Sequence, residues 1–96
     1  MVKILIRDLV ASADTVVQGS AISSALGTAL AAHDVVMLSF TGIGSASSSF
    51  VSAAIIPTLR SMTFDDFKRR VRIKDASWQI ADVIKRRVYL ELALAA

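Results

Sequence analysis

The run Val35-Val36-Met37-Leu38-Ser39-Phe40, in the middle of the chain, constrains the fold most. Four consecutive apolar residues that include β-branched valines predict a central strand buried on both faces. The run passes directly into Thr41-Gly42-Ile43-Gly44, where two glycines suit a tight turn. The serines at 45 and 47–49 then lead into a helical pattern carried by Phe50, Ala53, Ala54 and Leu59. Pro57 falls inside that pattern, and an interior proline costs roughly 3 kcal/mol, which predicts a kink or a break and restart.

The flanking segments repeat the alternation of strand and helix. Val2 to Arg7 is a short β-branched run and reads as a first strand. Ala11 to Asp14 has turn character, and Thr15-Val16-Val17 reads as a short edge strand before Gly19. From Ser20 the period changes. Ile22, Leu26, Ala29 and Leu30 fall at helical spacing, Ser20, Ser23 and Ser24 offer the N-terminal chemistry, and Gly27 marks a close approach to the sheet. His33-Asp34 ends this helix, where the dipole favours His33. Thr63-Phe64-Asp65-Asp66 is a start signal for a short basic helix, and its adjacent acids suit the helix dipole. Val71 to Lys74 reads as another strand. Asp75 or Ser77 caps a last helix, with Trp78, Ala81, Ile84, Val88 and Leu92 on one side. No repeat or linker divides residues 1–96. The expectation is one α/β domain, a sheet of about four strands packed by three to four helices.

Composition removes whole classes of chemistry. Cysteine is absent and histidine occurs once, so thiol catalysis, thiolate metal sites and a histidine-based metal or acid–base centre are not expected. No nucleophile–base pair is visible, and the expected protein is non-enzymatic, without metal or cofactor. Thr41-Gly42-Ile43-Gly44 lacks the third glycine and the Lys-Ser/Thr pair of nucleotide-binding loops. No apolar run approaches the roughly 18 residues of a membrane span, and the N-terminus lacks a leader pattern, so a cytoplasmic domain is expected.

Charge is unevenly placed. Residues 57–96 carry nine basic and five acidic groups, whereas residues 1–56 carry two and three. The basic cluster Lys68, Arg69, Arg70, Arg72, Lys85 and Arg86 reads in two ways. It is either a polyanion contact for nucleic acid or a solvated face with ion pairs such as Asp82 to Arg86. The last helix is apolar around much of its circumference, from Trp78 through Ile80, Val83, Val88 and Leu90 to Leu94. A stripe wider than one sheet face can cover predicts a homo-oligomer contact at residues 78–94.

The central loop carries a resemblance. Val35 to Ile43, then Ser48-Ser49-Phe50 and Ala53-Ala54-Ile55, are similar to the STAS-like domain family of unknown function. That family is a bacterial relative of the sulphate transporter and anti-sigma factor antagonist domains. The opening Gly19-Ser20-Ala21 and the segment from Phe67-Lys68 to Ile73 resemble it too. In the anti-sigma factor antagonists this loop carries Asp-Ser-Ser-Gly, and a partner kinase phosphorylates the first serine. The resemblance lays Ser47 on the aspartate, Ser48 on the phospho-acceptor, Ser49 on the second serine and Phe50 on the glycine. Ser47 departs from the acid there, and Ser39 departs from the acid of the family's strand-end Asp-Phe pair.

The resemblance therefore implies a STAS-like signalling module that docks a regulatory protein through the loop and helix at residues 41–60. The implied partner is a histidine-kinase-like ATPase or an anti-sigma factor, and Ser47, Ser48, Ser49 and Phe50 form the contact. A helix N-terminus has unpaired N–H donors and partial positive charge, which can accommodate a phosphate on Ser48. Plain helix capping by Ser47 or Ser48 is the alternative for the same serines. An accessory nucleic-acid-binding protein and a self-associating structural module are the alternatives for the whole chain.

Overall fold

A computed structural model describes residues 1–95. Three strands, β1 (Val2–Leu5), β2 (Val36–Ser39) and β3 (Val71–Lys74), form an all-parallel sheet in the order β1-β2-β3. Five helices connect and flank them: α1 (Ile6–Leu9), α2 (Val16–Ala32), α3 (Ser48–Arg60), α4 (Phe64–Arg70) and α5 (Trp78–Ala95). The α/β class and the central place of the Val35–Phe40 run are as expected. The sheet has three strands rather than four.

The missing strand is the segment expected at Thr15-Val16-Val17, which opens α2 instead. Thr15 Oγ1 accepts from the backbone N–H of Gln18, while the Gln18 carboxamide oxygen accepts from the Thr15 N–H at 3.0 Å. This reciprocal capping box satisfies two helix-end donors. Val16 and Val17 are exposed in the first turn, so their β-branched preference meets no sheet to pack on. The expected start at Ser20 therefore lies one turn inside the helix.

In register, Val2, Val36 and Val71 stand side by side, as do Ile4, Leu38 and Ile73. These six point to the face that carries the helices, because strand side chains alternate. The core beneath them is built from Ile22, Leu26 and Leu30 of α2, Phe50, Val51 and Ile55 of α3, Phe67 of α4, and Ile80 and Val88 of α5. The other row, Lys3, Met37 and Arg72, with Leu5, Ser39 and Lys74, turns the opposite way. The expectation that β2 is buried on both faces fails at Met37, which is only half-buried. Met37 and Leu5 are not among the side chains packed on the core.

Gly19 sets the contact between α2 and α3. A Cβ at that position would lie 2.5 Å from the Phe50 carbonyl oxygen and 2.7 Å from the Ala53 Cβ, so only a bare Cα allows this approach. Gly27 plays no such part: it is exposed and nothing lies within 4 Å of its missing Cβ. Pro57 does not break α3, which runs unbroken from Ser48 to Arg60. Its ring is exposed on the solvent side, where the carbonyl it leaves without a donor borders an open groove.

The α5 stripe also differs from its expectation. Trp78 is 94% exposed and Ala81 is exposed, whereas Ile80 and Val88 are buried and Ile84 and Leu92 are partly so. At 3.6 residues per turn, Trp78 stands about 200° around the helix from Ile80, so one sheet layer cannot cover both. No described helix is long and apolar enough to cross a membrane.

Candidate functional site

The segment from Phe40 to Phe50 joins the carboxyl end of β2 to α3 and is held from three sides. Gly42 has φ +80, and Arg7 lies over it so closely that a side chain there would collide with the guanidinium. The Ile43 N–H bonds the Phe40 carbonyl at 2.9 Å, which closes the turn, and Ile43 is buried. Ala46 is buried, and its N–H and carbonyl both pair with the carboxamide of Gln79 at 2.8 Å. Ser77 caps α5 by accepting from the Ile80 N–H at 3.3 Å, while its hydroxyl donates to the Gly44 carbonyl at 3.0 Å. Asp75, the other expected cap, is not used in this way.

The three serines that open α3 have distinct roles. Ser47 is the N-cap: its Oγ accepts from the Phe50 N–H at 3.0 Å and donates to the Asp14 carbonyl at 2.6 Å. Ser48 and Ser49 follow at the first two helical positions, both exposed, and neither hydroxyl bonds a described residue. Phe50 is fully buried in the core and does not belong to an accessible contact surface, which corrects that expectation. Its ring packs inward with the core, and its carbonyl lies against Gly19 of α2.

Ser48, Ser49 and Ser52 line an open groove of about 470 Å³ whose far wall is Arg60, Arg87 and Glu91. Arg60 grips Glu91 with two bonds, Nε to Oε2 at 2.7 Å and Nη2 to Oε1 at 3.0 Å. That hydrogen bonding, with the attraction of the two charges, holds the Glu91 carboxyl below its ordinary range and the guanidinium above its own. Arg87 is only partly exposed, and its Nε is buried with no partner among the described residues. A buried donor without an acceptor is uncommon in a folded protein.

A second polar cluster sits at the carboxyl end of the sheet. Asp75, with φ 57, accepts from Thr41 Oγ1 at 2.9 Å and from Ser39 Oγ at 3.2 Å. Aspartate tolerates this left-handed conformation better than most residues. The Thr41 bond, then the Ser39 bond, lower the Asp75 carboxyl below its ordinary range, and Lys3 and Lys74 add to this. Ser39 is buried beneath the pair. A carboxylate thus does stand at the end of β2, supplied from the neighbouring strand rather than from position 39.

The six basic side chains expected to contact a polyanion have different surroundings. Lys68 pairs with Asp65 at 3.8 Å, Arg69 with Asp66 at 3.1 Å, and Arg86 with Asp82. Arg70 is committed to the end of α2, bonding the carbonyls of Leu30, His33 and Asp34 at 2.8, 3.2 and 2.9 Å. It does there what His33 was expected to do. Lys85 lies over the Tyr89 ring at 5.8 Å, and Arg72, in register with Met37, donates from Nε to the Arg69 carbonyl at 3.4 Å. No group of three or more histidine, cysteine, aspartate or glutamate side chains is placed to hold a metal among the described residues.

The roles of Gln79, Arg87 and Asp75 have no signal in the sequence. Each acts on a residue more than 30 positions away or, for Arg87, through the absence of a partner, and no local pattern carries that information.

No curated protein and no solved structure matches the chain. The STAS-like domain of unknown function matches residues 19–81, from the glycine at the α2–α3 contact to the first turn of α5. The match takes in β2, the held loop, all of α3 and β3, leaving outside it β1 and most of α5. On that span, about two thirds of its length, the chain belongs to the family of STAS-like domains of unknown function.

Proposed function

We propose that this domain is a non-catalytic regulatory module that docks a partner protein through the loop and helix at residues 41–60, with Ser48 as a phosphorylation switch. The observation that carries the reading is the difference between adjacent serines. Ser47 is occupied as the cap, whereas the Ser48 hydroxyl is exposed, unbonded and one residue into the helix. A kinase can reach it without first breaking a structural bond. A phosphate there brings about −1.5 to −2 charge to the rim of the groove that holds Arg87, at the positive end of a helix. The surface changes sign while the fold stays in place. By similarity to the anti-sigma factor antagonists, the partner is a histidine-kinase-like ATPase or an anti-sigma factor.

The test is purification from the native host, followed by mass spectrometry of the intact assembly and of the 45–49 segment. The expected result is a kinase-like ATPase or sigma regulator in the complex and a phosphate on Ser48. Ser48→Asp then weakens the complex while Ser48→Ala leaves it intact. Equal binding by the two variants removes the switch, and an unmodified self-assembly removes the docking reading.

Trp78 favours a second reading. With Tyr89, Leu90 and Leu94 also exposed on α5, residues 78–94 offer apolar surface for self-association. Trp78→Glu then yields a monomer in sedimentation if this reading holds, and an unchanged mass excludes it.

A further inference from the structure

The sheet is a two-layer structure with one face left open. Its helices pack on the row that holds Val36 and Leu38, and the opposite face presents Lys3, Met37 and Arg72 side by side, with Lys74 in the next row. Lys3, Arg72 and Lys74 are exposed, and none forms an ion pair with a described residue. Most other basic side chains of the C-terminal half are paired. Between the two cations of the first row lies half-buried Met37, a flexible apolar side chain suited to adaptable contacts. Asp75 stands at the sheet's end, where Thr41 and Ser39 already donate to it.

We propose that this face is a docking surface for an acidic segment of a partner protein, one that carries carboxylates on both sides of an apolar side chain. Lys3 and Arg72 belong to strands two positions apart, so their backbones are separated by about 10 Å. An extended segment spans that distance in three residues and a helix in two turns. Met37 takes the apolar side chain between the two ion pairs. Desolvation there strengthens charge pairs that would be weak on an open surface.

The same charges disfavour the other occupants. A second copy stacked face to face would set cations against cations. A nucleic acid would find positive charge but no aromatic ring in either row on which to stack a base. The face lies across the sheet from α3, so the proposal does not rest on the Ser48 reading.

The experiment uses the whole chain and a fluorescein-labelled peptide of repeating Glu-Glu-Leu. A Gln-Gln-Leu peptide and a deoxythymidine oligonucleotide serve as comparisons. The acidic peptide binds, and the amide resonances of Lys3, Met37 and Arg72 move while those of Ser48 to Ser52 do not. The combined Lys3→Gln, Arg72→Gln and Lys74→Gln variant weakens binding by about tenfold or more, and Met37→Ser weakens it several-fold. Lys85→Gln with Arg86→Gln, on α5, changes it by less than about twofold.

Absence of binding overturns the proposal. So does equal binding of the glutamine peptide, or resonance shifts confined to α3 or α5. Tighter binding of the oligonucleotide to the same face, falling steeply with salt and indifferent to Met37→Ser, assigns the surface to nucleic acid instead. The resonance shifts are read on the unmodified protein, so the proposal stands or falls even if the triple variant does not fold.

Discussion

The carboxamide of Gln79 closes two hydrogen bonds of 2.8 Å on the backbone of Ala46, its nitrogen donating to the carbonyl and its oxygen accepting from the N–H. One side chain from α5 thereby stands in for a strand neighbour and pins the loop that delivers Ser47 and Ser48. Gln79→Leu keeps the bulk and leaves both backbone groups without partners, at a cost of about 1–3 kcal/mol. Urea unfolding measures that loss, and hydrogen exchange at residues 43–47 becomes faster relative to the sheet. Unchanged exchange there would show that the pair does not hold the loop.

Gly19→Ala places a methyl against the Phe50 carbonyl and the Ala53 side chain, neither of which can yield without moving α3. The expected destabilisation is about 1–3 kcal/mol, opposite in sign to the gain that alanine normally brings to a helix interior. Gly27→Ala supplies the contrast. With open space around it, that substitution stabilises by about 1 kcal/mol or slightly less, and thermal melting ranks the two variants.

Ser47→Ala removes the cap of α3 and the bond to Asp14, costing about 1–2 kcal/mol. Ser48→Ala touches no bond and stays within about 0.5 kcal/mol of the parent. Denaturant midpoints separate the two. A comparable loss at both positions would mean that Ser48 is structural after all.

Asp75 links stability to acid pH. Its folded-state carboxyl is held below the ordinary range by Thr41 and then Ser39, so the unfolded chain takes up the proton first. The stabilisation is complete above the ordinary carboxylate range and is lost as pH falls through it towards the lowered folded value. Asp75→Asn removes this dependence, and melting temperatures of the two proteins converge on acidification. Parallel curves would rule out Asp75 as a source of the slope.

Short-range signals along the chain make some elements legible. The apolar run Val35 to Leu38 that leads into β2, the Thr63 cap with the Asp66 N–H, and the alternation of Val71 to Lys74 are local patterns that the fold obeys. At Thr15 two local signals compete, β-branched Val16-Val17 and the Thr-x-x-Gln capping pattern. The cap prevails because both valines face water. Ser48 is legible only by likeness to a family, and its freedom from bonds is visible only in three dimensions. Asp75 on Thr41, Gln79 on Ala46 and the burial of Phe50 depend on how distant segments meet, which no periodicity encodes. The open sheet face is hidden for a related reason: an apolar run implies burial, but Met37 finds no second layer to enter.

Arg70, seated on the last carbonyls of α2 from the end of α4, joins segments more than 30 residues apart. Fraying of that helix end costs those bonds as well as the helix's own, and α2 has no basic residue in its last turn to take their place. Loss of order in α4 is therefore expected to reach the last turn of α2, and faster hydrogen exchange there in Arg70→Ala would show it.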